Sequence, residues 1–223
     1  EVMFIDQHLS ETVEQMRNQQ LKKPDVAVIE AVAITEDGGI IPTTSVGNSA
    51  SFAIFAEKVI VEINTNLSPA FEGLHDIYIP TYRPTRQPIP LTKVDERIGT
   101  PAINIDPAKI VGIVFNSEYH DSPSTVTAPD DETQGIANHL IAFFEKEVAE
   151  GRLPSNLGPL QAGIGSIANA VLTGLKDSNF EDLIMYSEVL QDCTFELIDA
   201  GKMKFASGSS ITLSAKYGEK VFN

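Results

Sequence analysis

Apolar residues gather in short dense runs separated by polar or proline-rich stretches. Residues 7–23 are polar, with Leu9, Val13, Met16 and Leu21 at near-helical spacing, which predicts a surface helix. Pro24 and Asp25 break it. The run VAVIEAVAI, Val26 to Ile34, has strand length, and Asp37, Gly38 and Gly39 supply turn chemistry after it. Ile40 and Ile41 open a short strand, residues 45–56 read as a loop entering a helix, and KVIVEIN (Lys58 to Asn64) reads as a strand. These Val- and Ile-rich runs barely alternate, so strands covered on both faces of a parallel sheet are expected. Pro69, Pro80, Pro84, Pro88, Pro90, Pro101 and Pro107 mark 65–107 as an irregular excursion.

A strand at Ile110 to Phe115 and a loop with Pro123 and Pro129 come next. Asp130 or Asp131 then caps a helix to about Ala149, with Ile136, Leu140, Phe143, Phe144 and Val148 on its apolar face. The segment EGRLPSNL (150–157) is the candidate domain boundary. After it come a strand at Leu160–Ala162, a glycine turn, a helix at Ser166–Leu175, a strand at Leu183–Tyr186 and a helix near Gln191–Ala200. That is a βαβ unit with a right-handed crossover. The fold class is α/β, with parts of two open-sheet domains.

Composition narrows the function. Of 223 residues, 42% are apolar and 21% charged, enough for a packed core. A net charge of −15 disfavours nucleic acid and anionic membrane surfaces as partners, without excluding a local anion site. No run reaches the ~18–20 apolar residues of a membrane span. The single cysteine, Cys193, rules out a disulfide framework within one chain and favours a reducing, cytoplasmic setting. Its apolar and acidic neighbours predict a buried, inert thiol. His8, His75, His120 and His139 are scattered without ligand spacing, so no metal is expected.

Two features in the βαβ unit carry candidate chemistry. Gly163-Ile164-Gly165-Ser166 lies between a strand and a helix. Its glycines let the backbone turn sharply and let a ligand approach. The helix N-terminus behind it offers unpaired N–H groups to a phosphate or a developing oxyanion. Glu188 follows the carboxyl end of the next strand, the rim where ligands of open α/β sheets gather. The same residues, Gly163 to Ala168, also fit the dinucleotide pattern G-x-G-x-x-G/A, with Glu188 where a ribose-binding acid would stand. Pro159 and Gln161 spoil the apolar first strand which that pattern needs. A tight turn beside a solvated glutamate is an equally good account from spacing alone.

Several stretches are similar to the acetyl-CoA hydrolase/transferase family, which includes succinyl-CoA:acetate and 4-hydroxybutyrate CoA-transferases. They include AITEDGGIIPTTSVGNS (33–49), EGLHDIYIP (72–80), RIGTPAINIDPAKIVGIV (97–114), LQAGIGSIANAVLTGL (160–175) and MYSEVLQDCTFELIDAGK (185–202). The resemblance implies a CoA-transferase-type fold. Residues 1–149 would be the C-terminal portion of one α/β domain, and 150–223 the N-terminal portion of a second that carries the catalytic glutamate. It implies Glu188 as nucleophile, the Ile164 amide as one oxyanion donor, and Gly163 and Gly165 at the CoA site. The substrates would be an acyl-CoA and a short-chain carboxylate, with no cofactor beyond the CoA thioester itself and a homo-oligomer expected.

The family's members are longer. By resemblance, an opening segment and a C-terminal part with a second oxyanion donor lie outside these residues, so the 223-residue chain alone is expected to be inactive. Ser122 stands where some relatives carry a carboxylate-binding arginine, which leaves the acid undefined. A dinucleotide-binding oxidoreductase unit and a non-catalytic interaction domain are the alternative functions. Arg83, Arg86 and Arg97 are candidate phosphate contacts or surface charges, and Gly73, His75 and Asp76 suggest a structural turn. Gly47-Asn48-Ser49 reads as turn chemistry, and Asn169 as a packing or a ligand residue.

Overall fold

The structure, a computed structural model, describes residues 4–117 and 129–222. The chain divides into two compact units, Glu1–Pro90 with Arg97–His120, and Leu91–Glu96 with Asp121–Asn223. Ser122 lies outside the described residues.

In the first unit, helix α1 (Leu9–Arg17) precedes strands β1 (Val26–Ile34) and β2 (Ile40–Pro42). Helix α2 (Ser49–Phe55), strand β3 (Lys58–Asn64) and strand β4 (Ile110–Asn116) follow. The sheet order is β2-β1-β3-β4, with β1, β3 and β4 parallel and β2 antiparallel. One face buries Ala27, Ile29, Ala31, Val59, Val61 and Ile63 against Ala50 and Ala53 of α2 and against Ile77 and Ile103. The opposite face is largely open: Val26 is 46% and Val28 62% exposed, although Val32 at the carboxyl end of β1 is buried. The expectation of strands covered on both faces fails here. Glu30 and Glu62, paired across β1 and β3, sit on that open face. Asn64 Nδ2 (2.8 Å) and Thr43 Oγ1 (3.1 Å) donate to Glu30, and Asn116 Nδ2 (2.7 Å) donates to Glu62. These bonds tie the carboxyl ends of the strands together.

The proline-rich excursion is anchored rather than loose. Arg97 donates to the carbonyls of Gly73 (2.7 Å), Leu74 (3.2 Å) and His75 (3.3 Å), and Asp76 accepts from the amides of Ile98 and Gly99. Arg97 is therefore committed to this turn. Gly73, His75 and Asp76 act structurally here, and burial lowers the His75 pKa.

In the second unit, helix α3 (Asp131–Ala149) starts at a capping box, with Asp130 accepting from the Thr133 amide at 2.8 Å. Strand β5 (Pro159–Leu160), helix α4 (Ser166–Lys176), strands β6 (Leu183–Tyr186) and β7 (Val189–Leu190) and helix α5 (Asp192–Asp199) follow. Strands β8 (Met203–Ser207) and β9 (Ser210–Ile211) and helix α6 (Ala215–Phe222) complete it. The ladder β5-β6-β8 is parallel, and β7 pairs β9 separately. Leu172, Leu175, Leu183, Met185, Leu197 and Met203 form the core. Ile141, Phe144 and Val148 of α3 pack on that core. Ala137 is buried on α3 while Leu140 and Phe143 are exposed, so the packed face is turned about one residue from the expected one. Helix α3, which the sequence groups with residues 1–149, packs against α4 inside the second unit. The compact units therefore divide near residue 120 rather than at 150–157.

Gly99 shows where two segments of the excursion pack backbone to backbone. A Cβ there would stand 2.3 Å from the Ile77 carbonyl oxygen. Gly99→Ala should cost about 3 kcal/mol, as overpacking against backbone does, and urea unfolding measures it. Wild-type stability would show that the two segments are not in contact.

Candidate functional site

Strands β5 and β6 are adjacent and parallel, with Leu160 opposite Met185. Both chains leave the ladder at its carboxyl rim, β5 into the turn Gly163–Gly165 and β6 into Ser187 and Glu188. A side chain joins these exits. The Ser187 hydroxyl donates to the Ala162 carbonyl at 2.9 Å and accepts from the Ala162 amide at 3.3 Å. The glycine turn and Glu188 thus share one rim of one unit.

The turn is open. Gly165 is the N-cap of α4 at φ +140°, a backbone conformation reserved for glycine, and it offers no side-chain cap. The first amides of α4 therefore lack a capping acceptor from their own N-cap. A Cβ on Gly163 would meet nothing within 4 Å, and its backbone needs no positive φ. Neither packing nor conformation demands glycine there, whereas close approach of a ligand would. Ile164 is 73% exposed. Beside the turn lies an apolar cleft of about 560 Å³, lined by Leu140, Phe144, Gly163, Ile164, Ile167 and Val171. Glu188 is outside that lining and its side chain is exposed.

The main chain of Glu188 is held from the other side. Its carbonyl accepts from the Ser209 amide (2.8 Å), the Ser209 hydroxyl (2.9 Å) and the Ser210 amide (3.1 Å). Gly208 permits this, since a Cβ there would lie 2.9 Å from Leu190 Cγ. Sequence reasoning missed Ser187, Gly208 and Ser209. The small-residue tract SGSS, 207–210, is the signal that could have marked a backbone-to-backbone contact.

Other polar residues make contacts within their own units. Asn169 accepts from Cys193 Sγ at 3.5 Å, which joins α4 to α5. Asp192 is buried and accepts from the Ser214 amide at 2.9 Å. Arg86 lies 3.9 Å from Glu14. Among the described residues no group of three or more His, Cys, Asp or Glu side chains could hold a metal ion. Nor is any described helix long and apolar enough to cross a membrane.

This is a CoA-transferase-type α/β fold. The 4-hydroxybutyrate CoA-transferase of Porphyromonas gingivalis matches 96% of this chain and 46% of its own, with a TM-score of 0.63 at 20% identity. The chain belongs to the acetyl-CoA hydrolase/transferase family, whose N-terminal domain model matches residues 1–115. It is 46% identical to the acetyl-CoA hydrolase of Schizosaccharomyces pombe, over 100% of this chain and 43% of that protein. It is also 46% identical to the succinyl-CoA:acetate CoA-transferase of Clostridium kluyveri, over 96% of this chain and 39% of that protein. The chain thus spans less than half the length of these curated relatives.

Burial pushes the Cys193 thiol up from its ordinary 9.0 to about 11. The unfolded chain ionises first, so the stability this thiol contributes is whole below pH 9. It is lost as pH rises from there through about 11. Iodoacetamide at pH 8 should leave Cys193 intact in the native protein and alkylate it in urea. Equal rates in the two states would show an accessible thiol instead.

Proposed function

We propose that this region carries the nucleophile of an acyl-CoA:carboxylate CoA-transferase or acyl-CoA hydrolase that works through a glutamyl-CoA thioester on Glu188. The observation that carries the reading is the shared rim: an open glycine turn whose N-cap offers the helix amides no side chain, tied through Ser187 to the exit that bears Glu188. The names of the relatives, hydrolases and a transferase acting on CoA thioesters, support the substrate class.

The chemistry suits a carboxylate. Glu188 attacks the acyl-CoA carbonyl, forming an acyl-glutamyl anhydride and expelling CoA thiolate. The thiolate attacks the glutamyl carbonyl of the anhydride, which gives a glutamyl-CoA thioester and releases the first carboxylate. A second carboxylate then reverses both steps to give a new acyl-CoA, or water hydrolyses the thioester and restores Glu188. Every intermediate stays activated, whereas a serine ester would dissipate the thioester's free energy. Each addition develops an oxyanion, for which the Ile164 amide is the proposed donor. Loss of one such donor costs about 10²–10³ in rate. Gly163 and Gly165 let the thioester approach the main chain, and the apolar cleft beside them suits the uncharged arm of CoA.

In the full-length natural protein, Glu188→Ala should lower turnover by more than about 10³-fold. Glu188→Asp should also fail, because retracting the carboxylate by one methylene spoils attack geometry. Acyl-CoA followed by hydroxylamine should modify Glu188, read by peptide mass. Wild-type turnover in the alanine variant would remove the mechanism.

Calorimetry separates the ligands. CoA or acetyl-CoA should bind the full-length protein with no comparable binding of NAD. The opposite result would make Gly163–Ala168 a dinucleotide turn and Glu188 a ribose ligand.

A further inference from the structure

The β5–β6 register pairs Leu160 with Met185. Two residues further on, in the same register, stand Ala162 and Ser187. By then both chains are leaving the ladder, and Ser187 has turned its own amide the other way, to the Ser207 carbonyl of β8 at 2.9 Å. Its hydroxyl takes over the connection to β5. It donates to the Ala162 carbonyl and accepts from the Ala162 amide, as a neighbouring backbone would. Ser187 is therefore a node joining β5, β6 and β8 at their common rim. One bond further along one chain is the glycine turn, and one bond further along the other is Glu188.

We propose that Ser187 is a positioning residue: its hydroxyl fixes the spacing between the Gly163–Gly165 turn and Glu188. This rests on the CoA-thioester function proposed for that rim. The attack requires a carboxylate and an amide donor to meet one carbonyl from two different strands. Nothing in the parallel ladder itself holds the strands together beyond Leu160 and Met185. The Ser187 hydroxyl is the link that extends the register past the point where backbone pairing stops. The rim is partly exposed at both Ala162 and Ser187, so water replaces the lost bonds when the hydroxyl is removed. Geometry is then lost with little loss of stability.

The test uses the full-length natural protein with Ser187→Ala, Ser187→Thr and Glu188→Ala measured together. Ser187→Ala should lower kcat by about 10- to 100-fold, the range expected for a misplacement of an ångström or less. KM for acyl-CoA should stay within about threefold, since uniform binding is untouched. Ser187→Thr, which keeps the hydroxyl, should restore most of kcat. Hydrogen exchange at the Ala162 amide should quicken in the alanine variant and not in the threonine variant. Should the alanine variant not fold, Ser187→Cys keeps the size with a weaker donor and carries the same comparison. An alanine variant with wild-type kcat, or one that changes only KM, overturns the positioning role. Wild-type activity in Glu188→Ala overturns the function beneath it, an outcome distinct from the behaviour of Ser187.

Discussion

The parallel ladder β5-β6-β8 is the constraint on which the candidate site depends. Its register is held by apolar burial: Leu183 and Met185 are at most 1% exposed, and they pack with Leu175, Leu197 and Met203. A slip of one residue would turn these side chains out of the core. It would also take Ser187 away from Ala162. The geometry of the candidate rim is thus indexed by side chains buried further back along the same strand. The ladder is short, two paired residues between β5 and β6 and four between β6 and β8. Hydrogen bonds beyond its end therefore matter more than they would at the end of a long sheet.

Glycines in this protein divide by what they answer to. At Gly99 and Gly208 a Cβ would run into the Ile77 carbonyl and into Leu190, so these glycines serve close packing of backbone. Gly165 answers to its φ of +140°. Gly163 answers to neither, since a side chain there would enter open space. Within the G-I-G turn, one glycine shapes the chain and the other leaves room beside it. A purely structural strand–helix turn would require the first and not the second, and this asymmetry weighs toward a ligand at the turn.

Much of the framework was legible in the sequence. Dense Val and Ile runs marked β1 and β3 with their observed ends, and LIMY marked β6. Of the two acids that could cap α3, Asp130 and Asp131, the first is the N-cap. The reading of strands covered on both faces went wrong because β-branched residues suit a strand whichever face they take. Glu30 and Glu62 held the correction: each shares its face with exposed or half-exposed neighbours, Val28 and Ile60, and only one face of β1 and β3 is packed. Strands β7 and β9 were invisible because two residues carry no periodicity. They exist through pairing between distant segments. The same is true of the contacts around Glu188, where the hydroxyls of Ser187 and Ser209 bond to main-chain atoms of distant segments, a pairing that residue type does not advertise. Glu188 and the glycine turn could be singled out as candidates because the chemistry proposed for them lies in a side chain or in its absence. The residues that hold them could not.

A carboxylate nucleophile has two opposed needs. Its main chain must be fixed, because each loose torsion near the reacting centre dilutes the attack geometry. Its terminal oxygens must be free, because a carboxylate already tied to a cation or to several donors is a poorer nucleophile. As the proposed nucleophile, Glu188 meets the first need through its neighbours: three donors converge on its carbonyl, and the preceding residue is bonded to strands on both sides. Those bonds use main-chain atoms and the hydroxyls of Ser187 and Ser209, and none of them engages the Glu188 carboxylate. Serine is well suited to this work. Its hydroxyl can donate and accept at once, as Ser187 does with Ala162, and it adds no charge beside the acid. A lysine or arginine would anchor the same strands while drawing the carboxylate into an ion pair.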